Sequence, residues 1–226
     1  MQEKIYTIPV HEVFEKREGC PMCRMKTEIE NRVLEYILGD AMMEPDVRIH
    51  TNETGFCPEH LEKMMARRNR LQLSLMLETH LKSVYDRLFS QKLFASDSKR
   101  ARTLHTLQKS CYVCERLERS LSQMNATVLL SYENDREFRE LFAAQPLFCR
   151  GHYEELLQLS LNQAKKMPKY GSEFRKTLGR ITESALKKLC EDVTKYRTMY
   201  DYRNNKPDKD WGDYREAVEN ALTFLK

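Results

Sequence analysis

Apolar residues recur at steps of three and four along most of this chain. Met25, Ile29, Val33, Tyr36 and Ile37 follow that spacing, and so do Leu117, Leu121, Met124 and Val128. Each set predicts an amphipathic helix with one face toward a core. From Leu61 to Phe94 there is neither Pro nor Gly, and Leu73, Leu77, Leu81, Val84 and Leu88 stand at helical spacing. One helix of about 50 Å is expected there, at about 1.5 Å per residue. Ser96-Asp97-Ser98-Lys99 reads as a break. A further helix should run from about Arg150 until Pro168 approaches, and a long one from Ser172 to about Tyr200 through Phe174, Leu178, Ile181, Leu186, Leu189, Val193 and Tyr196. Asn204-Asn205-Lys206-Pro207 ends it, and a last short helix begins near Asp213. No segment alternates with period two far enough to make a strand, so the expected fold class is all-α, a helical bundle.

A repeat underlies this pattern. Cys20-Pro-Met-Cys23 followed by Phe56-Cys57-Pro-Glu-His60 returns as Cys111-Tyr-Val-Cys114 followed by Phe148-Cys149-Arg-Gly-His152. The offset is 91 residues at the CxxC pairs and 92 at the CxxH pairs. At 92, Met25, Ile29, Tyr36 and Ile37 fall on Leu117, Leu121, Val128 and Leu129, which places the extra residue just after Cys114. Self-similarity of this kind predicts an internal duplication: residues 1–95 as the first repeat, and 96–226 as the second with C-terminal helices, packed as one globule.

The repeated residues carry recognisable chemistry. Two cysteines separated by two residues present both sulfurs to one metal ion, and CxxH adds a third sulfur and an imidazole. Three thiolates and one imidazole fill a tetrahedron with soft donors that favour Zn²⁺, the composition of a closed, structural site. The metal ligands are therefore expected to be Cys20, Cys23, Cys57, His60, Cys111, Cys114, Cys149 and His152, with two zinc ions per chain. In Cys57-Pro58 and Cys20-Pro21 the proline suits a first helical position, which puts each cysteine at a helix N-terminus, where the macrodipole favours thiolate. Pairing within a copy closes loops of 33 and 34 residues and is favoured because shorter loops cost less entropy; a crossed arrangement stapling the copies together stays open.

Other chemistries find little support. A thioredoxin-like role lacks a strand-to-helix context, an iron–sulfur cluster is a minor alternative, and without CxxCH there is no covalent haem. None of the six histidines follows a Glu by three residues, which removes di-iron bundle chemistry, and His11-Glu12-Val13-Phe14-Glu15 lacks the second His of a metalloprotease helix. Phosphate-cradling loops and nucleophile elbows are missing. Arg67, Arg68 and Arg70, with Lys165, Lys166 and Lys169, read as solvated helix faces. His11 reads as a surface residue, Cys190 as a core thiol and Trp211 as an anchor for the last helix. His80 or His105 would matter in an enzyme only if a cleft between repeats gathered them with carboxylates.

Composition narrows the setting. Seven Gly, seven Pro and 32% charged residues in 226 fit long helices rather than a turn-rich β fold. A net charge of +4 is too small to imply a nucleic-acid partner. Met1–Val10 has no signal-peptide core and apolar runs such as Leu75-Met76-Leu77 are short, so the expectation is a cytoplasmic protein, with no membrane and its thiols reduced. Tyr6–Val10, the CPMC at Cys20, Asp46-Val47-Arg48 with Gly55-Phe56-Cys57, the CYVC at Cys111 and Asp201-Tyr202-Arg203 together resemble an uncharacterised bacterial family, a domain of unknown function. That resemblance spans the chain and implies a bacterial cytoplasmic protein without assigning an activity. The expected role is a zinc-stapled scaffold or interaction module with a protein partner. The alternatives are a thiol/zinc redox sensor and an enzyme with an unrecognised cleft.

Overall fold

A computed structural model describes residues 6–90, 96–200 and 214–225. They form α1 (Thr7–Glu15), α2 (Pro21–Ile37), α3 (Pro45–Thr54), α4 (Pro58–Ala66), α5 (Arg70–Tyr85), α6 (Asp97–Lys109), α7 (Tyr112–Asn134), α8 (Arg136–Ala143), α9 (Arg150–Asn162), α10 (Gly171–Met199) and α11 (Ala217–Leu225), with no strand among the described residues. The all-α expectation holds. The apolar stripes that predicted α2 and α7 are buried through Met25, Ile29 and Ile37, and through Leu117, Met124 and Val128. The expectations at Asn204–Pro207, Trp211 and Asp213 lie outside the described residues.

Short signals start the helices that periodicity left unmarked. Ser96 caps α6 by accepting the Lys99 amide at 3.3 Å, and Asp135 caps α8 by accepting that of Glu137 at 2.8 Å. Pro45 begins α3 where its missing N–H costs nothing. One cap comes from far along the chain. Glu133, buried in α7, accepts the amides of Lys169 and Tyr170, both at 2.9 Å, at the start of α10.

The single helix expected from Leu61 to Phe94 is not formed. Arg67 and Asn69 leave helical geometry between α4 and α5, and Asp86–Ser90 continues α5 as a π turn; Phe94 lies outside the described residues. Geometry supplies the reason. Met64 and Leu73 are nine residues apart, which at about 100° per residue sets them on opposite sides of a straight helix. Both are buried in the same core cluster, so the chain must turn between them. Asn69 Nδ2 secures the turn by donating to the Leu38 carbonyl at 3.0 Å. The absence of Gly and Pro permits a long helix without requiring one.

The chain divides into two compact units whose bounds differ from the expected repeats 1–95 and 96–226. A terminal unit combines Met1–Met25 with Ser122–Lys226, and a central unit spans Lys26–Leu121. The boundaries fall inside α2 and α7. The central unit packs Leu34, Ile37, Val47, Phe56, Met64, Leu73 and Met76 around Cys111-Tyr112-Val113. The terminal unit centres on Phe142, whose ring lies among those of Phe14, Tyr132, Phe148 and Phe174. Leu186, Leu189 and Val193, part of the apolar spacing that predicted α10, line a groove of about 350 Å³ with Ala221 and Phe224 of α11. Cys190 opens into that groove and is exposed, which overturns its reading as a core thiol: the side chains of α10 and α11 leave the groove open beside it.

Candidate metal centres

Both CxxH motifs begin helices. Cys57 is the N-cap of α4 with Pro58 following, and Cys149 is the N-cap of α9, so His60 and His152 project from first turns beside their own cysteines. The CxxC pairs straddle helix starts too: Cys20 and Cys111 immediately precede α2 and α7, and Cys23 and Cys114 sit in their first turns. At Cys20 and Cys57 these are the placements the Cys-Pro steps predict.

The pairing is crossed. Cys20 and Cys23 meet Cys149 and His152, while Cys111 and Cys114 meet Cys57 and His60, and in each set all four donor atoms lie within 4.8 Å of one another. The favoured pairing within copies is therefore corrected. In the first set, His152 Nδ1 lies 3.7 Å from Cys20 Sγ, 3.3 Å from Cys23 Sγ and 2.9 Å from Cys149 Sγ, and the Cys23 and Cys149 sulfurs are 3.6 Å apart. In the second, His60 Nδ1 lies 3.1 Å from Cys57 Sγ and 3.4 Å from both Cys111 Sγ and Cys114 Sγ, with 3.9 Å between Cys57 and Cys114. A tetrahedron with metal–sulfur bonds of about 2.3 Å and metal–nitrogen bonds of about 2.0–2.1 Å has sulfur–nitrogen edges of about 3.5–3.6 Å and sulfur–sulfur edges of about 3.8 Å; most of these separations approach those values, and the two pairs within a CxxH motif are shorter. Sulfurs 3.6 and 3.9 Å apart are not disulfide-bonded, and all seven cysteines are free thiols.

Each set lies wholly within one compact unit. In the central unit the end of α3 does the joining, through carbonyls that the helix itself leaves unpaired. Asn52 O accepts from His80 and from Ser83, Glu53 O from Arg87, Thr54 O from Ser110 Oγ at 2.7 Å, and Gly55 O from the Tyr112 amide at 3.0 Å. The last two bonds flank Cys111 and bring it to Cys57. His80 is thereby a packing residue whose ring borders Gly55 and Phe56, and burial pulls its pKa down. His105 is exposed on α6. Of the basic residues, Arg67 pairs with Glu35 and donates to Asn31. His11 is half-buried, its ring 4.9 Å from that of Phe138.

Two glycines with positive φ precede these ligands. Gly19 (φ 55°) has open space where a Cβ would sit, whereas a Cβ on Gly55 (φ 64°) would lie 2.7 Å from His80 Cε1. Gly19→Ala should cost about 1–2 kcal/mol, the left-handed penalty alone. Gly55→Ala should cost clearly more, because His80 must also move and release Asn52. Urea unfolding of the two variants checks the order; equal losses would mean that His80 gives way freely.

Without metal the crowded donors share protons unequally. Hydrogen bonds from Cys20, Cys23 and His152 hold the Cys149 thiol far below its ordinary pKa, while Cys23, bonded to that same sulfur, is pushed far up. Burial opposes protonation of His152, but its bonds to Cys149 and Cys20 raise it to about 10. In the second set, burial and then Cys111 push Cys114 up to about 12. Crowded thiols resist a second ionisation, and a metal cation removes that resistance by neutralising the accumulated charge.

The chain belongs to a family of unknown function, DUF6062, whose model matches residues 1–226. No curated protein and no solved structure matches it. The crossed sets could not be found by spacing, since each CxxC is compatible with either CxxH. Glu30, which sits against His60, carried no sequence signal beyond its place on α2.

Proposed function

We propose that this protein is a structural zinc protein of a reducing cytoplasm, bacterial in origin, in which two Cys3His centres fold a helical scaffold that engages a protein partner. The observation that carries this reading is the closed donor set. Three thiols and one imidazole already surround each centre, so a bound zinc would keep no position for substrate or catalytic water. The soft, sulfur-rich composition favours zinc over hard cations such as Mg²⁺ or Ca²⁺. No helix among the described residues is long and apolar enough to cross a membrane, which agrees with a protein working in water.

Elemental analysis of the untagged full chain, purified without chelator, should give two zinc ions, and one in each of Cys57→Ser and Cys149→Ser. Freshly reduced protein without metal would sink the reading. The pH dependence has a definite sign. Cys23 and Cys114 hold their protons in the metal-free sets, so metal must displace them. Apparent affinity therefore rises with pH, and acidification should release the ion together with helicity, as paired zinc and circular-dichroism titrations would record.

A further inference from the structure

The two donor sets differ beyond their ligands. His60 turns Nδ1 to the sulfurs and Nε2 to Glu30 Oε1 at 3.0 Å. Glu30 is largely buried, and Lys63 Nζ holds the same oxygen at 2.7 Å while also reaching Glu59 at 2.7 Å. A carboxylate taking the Nε2–H keeps the neutral ring in the tautomer whose Nδ1 lone pair faces the sulfurs, and it stops the ring from turning away. The contact joins residues 30 positions apart and buries both partners, so it is built by the fold rather than by neighbours on one helix. At the equivalent place in the second copy, 92 residues on, stands Ser122, which has no charge to offer. Among the described residues, ion pairs to histidine form at His11, His50 and His60, and none forms at His152.

From this asymmetry we infer that Glu30 is a positioning residue for His60 and that the two metal sites are unequal, the Cys57/His60/Cys111/Cys114 site keeping its ion longer than the Cys20/Cys23/Cys149/His152 site. The inference rests on the metal reading above. It makes the Cys20/Cys23/Cys149/His152 site the exchangeable one, open to regulation by metal supply while the Cys57/His60/Cys111/Cys114 site stays filled.

Competition for zinc against a chromophoric chelator tests it on the full chain. In Cys149→Ser, where only the Cys57 site fills, adding Glu30→Ala should weaken binding about 10–100-fold, and Glu30→Gln, a neutral acceptor of the same shape, should recover part of that loss. In Cys57→Ser, where only the Cys149 site fills, Glu30→Ala should change nothing. A change within twofold in the first background, or equal losses in both, overturns the inference. The wild-type chain gives a measure that depends on no variant: during slow chelation, peptide-level alkylation should label Cys20, Cys23 and Cys149 before Cys57, Cys111 and Cys114. Simultaneous or reversed labelling overturns it as well. Thiols that label fully without chelator, in protein carrying no metal, would instead remove the metal reading itself.

Discussion

Cys57→Ser should expose Cys111 and Cys114 to alkylation while leaving Cys20 and Cys23 protected. Crossed pairing demands that outcome, because Cys57 shares its donor set with the second copy's CxxC. Pairing within copies would demand the reverse, with Cys20 and Cys23 set free. The structural effect should be large. On the proposed zinc reading, structural zinc binds with about 10–16 kcal/mol of apparent free energy, against a net domain stability of about 5–15 kcal/mol, so losing one centre would remove as much as the fold of its unit can spare. Circular dichroism should show helicity lost from the central unit, whose core includes Cys111. Peptide mapping of the alkylated protein decides between the pairings even if the helicity loss is partial. Labels on Cys20 and Cys23 alone would refute the crossed arrangement.

Phe142→Ala should destabilise the protein by about 3–5 kcal/mol, the range for deleting a fully buried aromatic ring. Phe142 is completely buried. Its ring centre lies 5.0 Å from those of Phe148 and Phe174, 5.2 Å from that of Tyr132 and 5.8 Å from that of Phe14. Four large rings bound the cavity left behind, and rings held by several helices cannot collapse into it together. One of them, Phe148, directly precedes Cys149 of the terminal unit's donor set. The cavity should therefore also loosen the Cys20/Cys23/Cys149/His152 site, while the Cys57 site in the central unit keeps its metal. Urea unfolding gives the stability loss, and chelator release gives the site effect. A loss under about 1 kcal/mol would show that the cluster repacks, and equal loosening of both sites would show that the damage is not confined to the terminal unit.

Local chemistry was legible before any coordinates. The three-and-four spacing of Met25, Ile29 and Ile37 marked α2, and the Cys-Pro steps marked the starts of α2 and α4, because these signals act within one or two turns of backbone. The same locality explains the errors. Leu61–Phe94 reads as one helix until the burial of both Met64 and Leu73 in one core forces a turn, and Cys190 reads as core until it is found on an open groove between α10 and α11.

The sequence by itself determined the candidate donors, their grouping into CxxC and CxxH, and the places of Cys20 and Cys57 at helix N-termini, since each depends on residues no more than three apart. Tertiary structure alone decided which pair meets which. Loop entropy favours pairing within copies, but it grows only as the logarithm of length. Even the separation of 126 residues between Cys23 and Cys149 costs only about 1 kcal/mol more than a loop of 33 or 34 residues. Against that stand, in the central unit, the bonds from Ser110 to Thr54 and from Tyr112 to Gly55, and a core in which Cys111, Tyr112 and Val113 pack with Phe56 and Met64. In that unit the crossed separation is only 57 residues, and each of those hydrogen bonds is worth about 0.5–1.5 kcal/mol, enough to offset the small entropy difference; no spacing in the chain announces them.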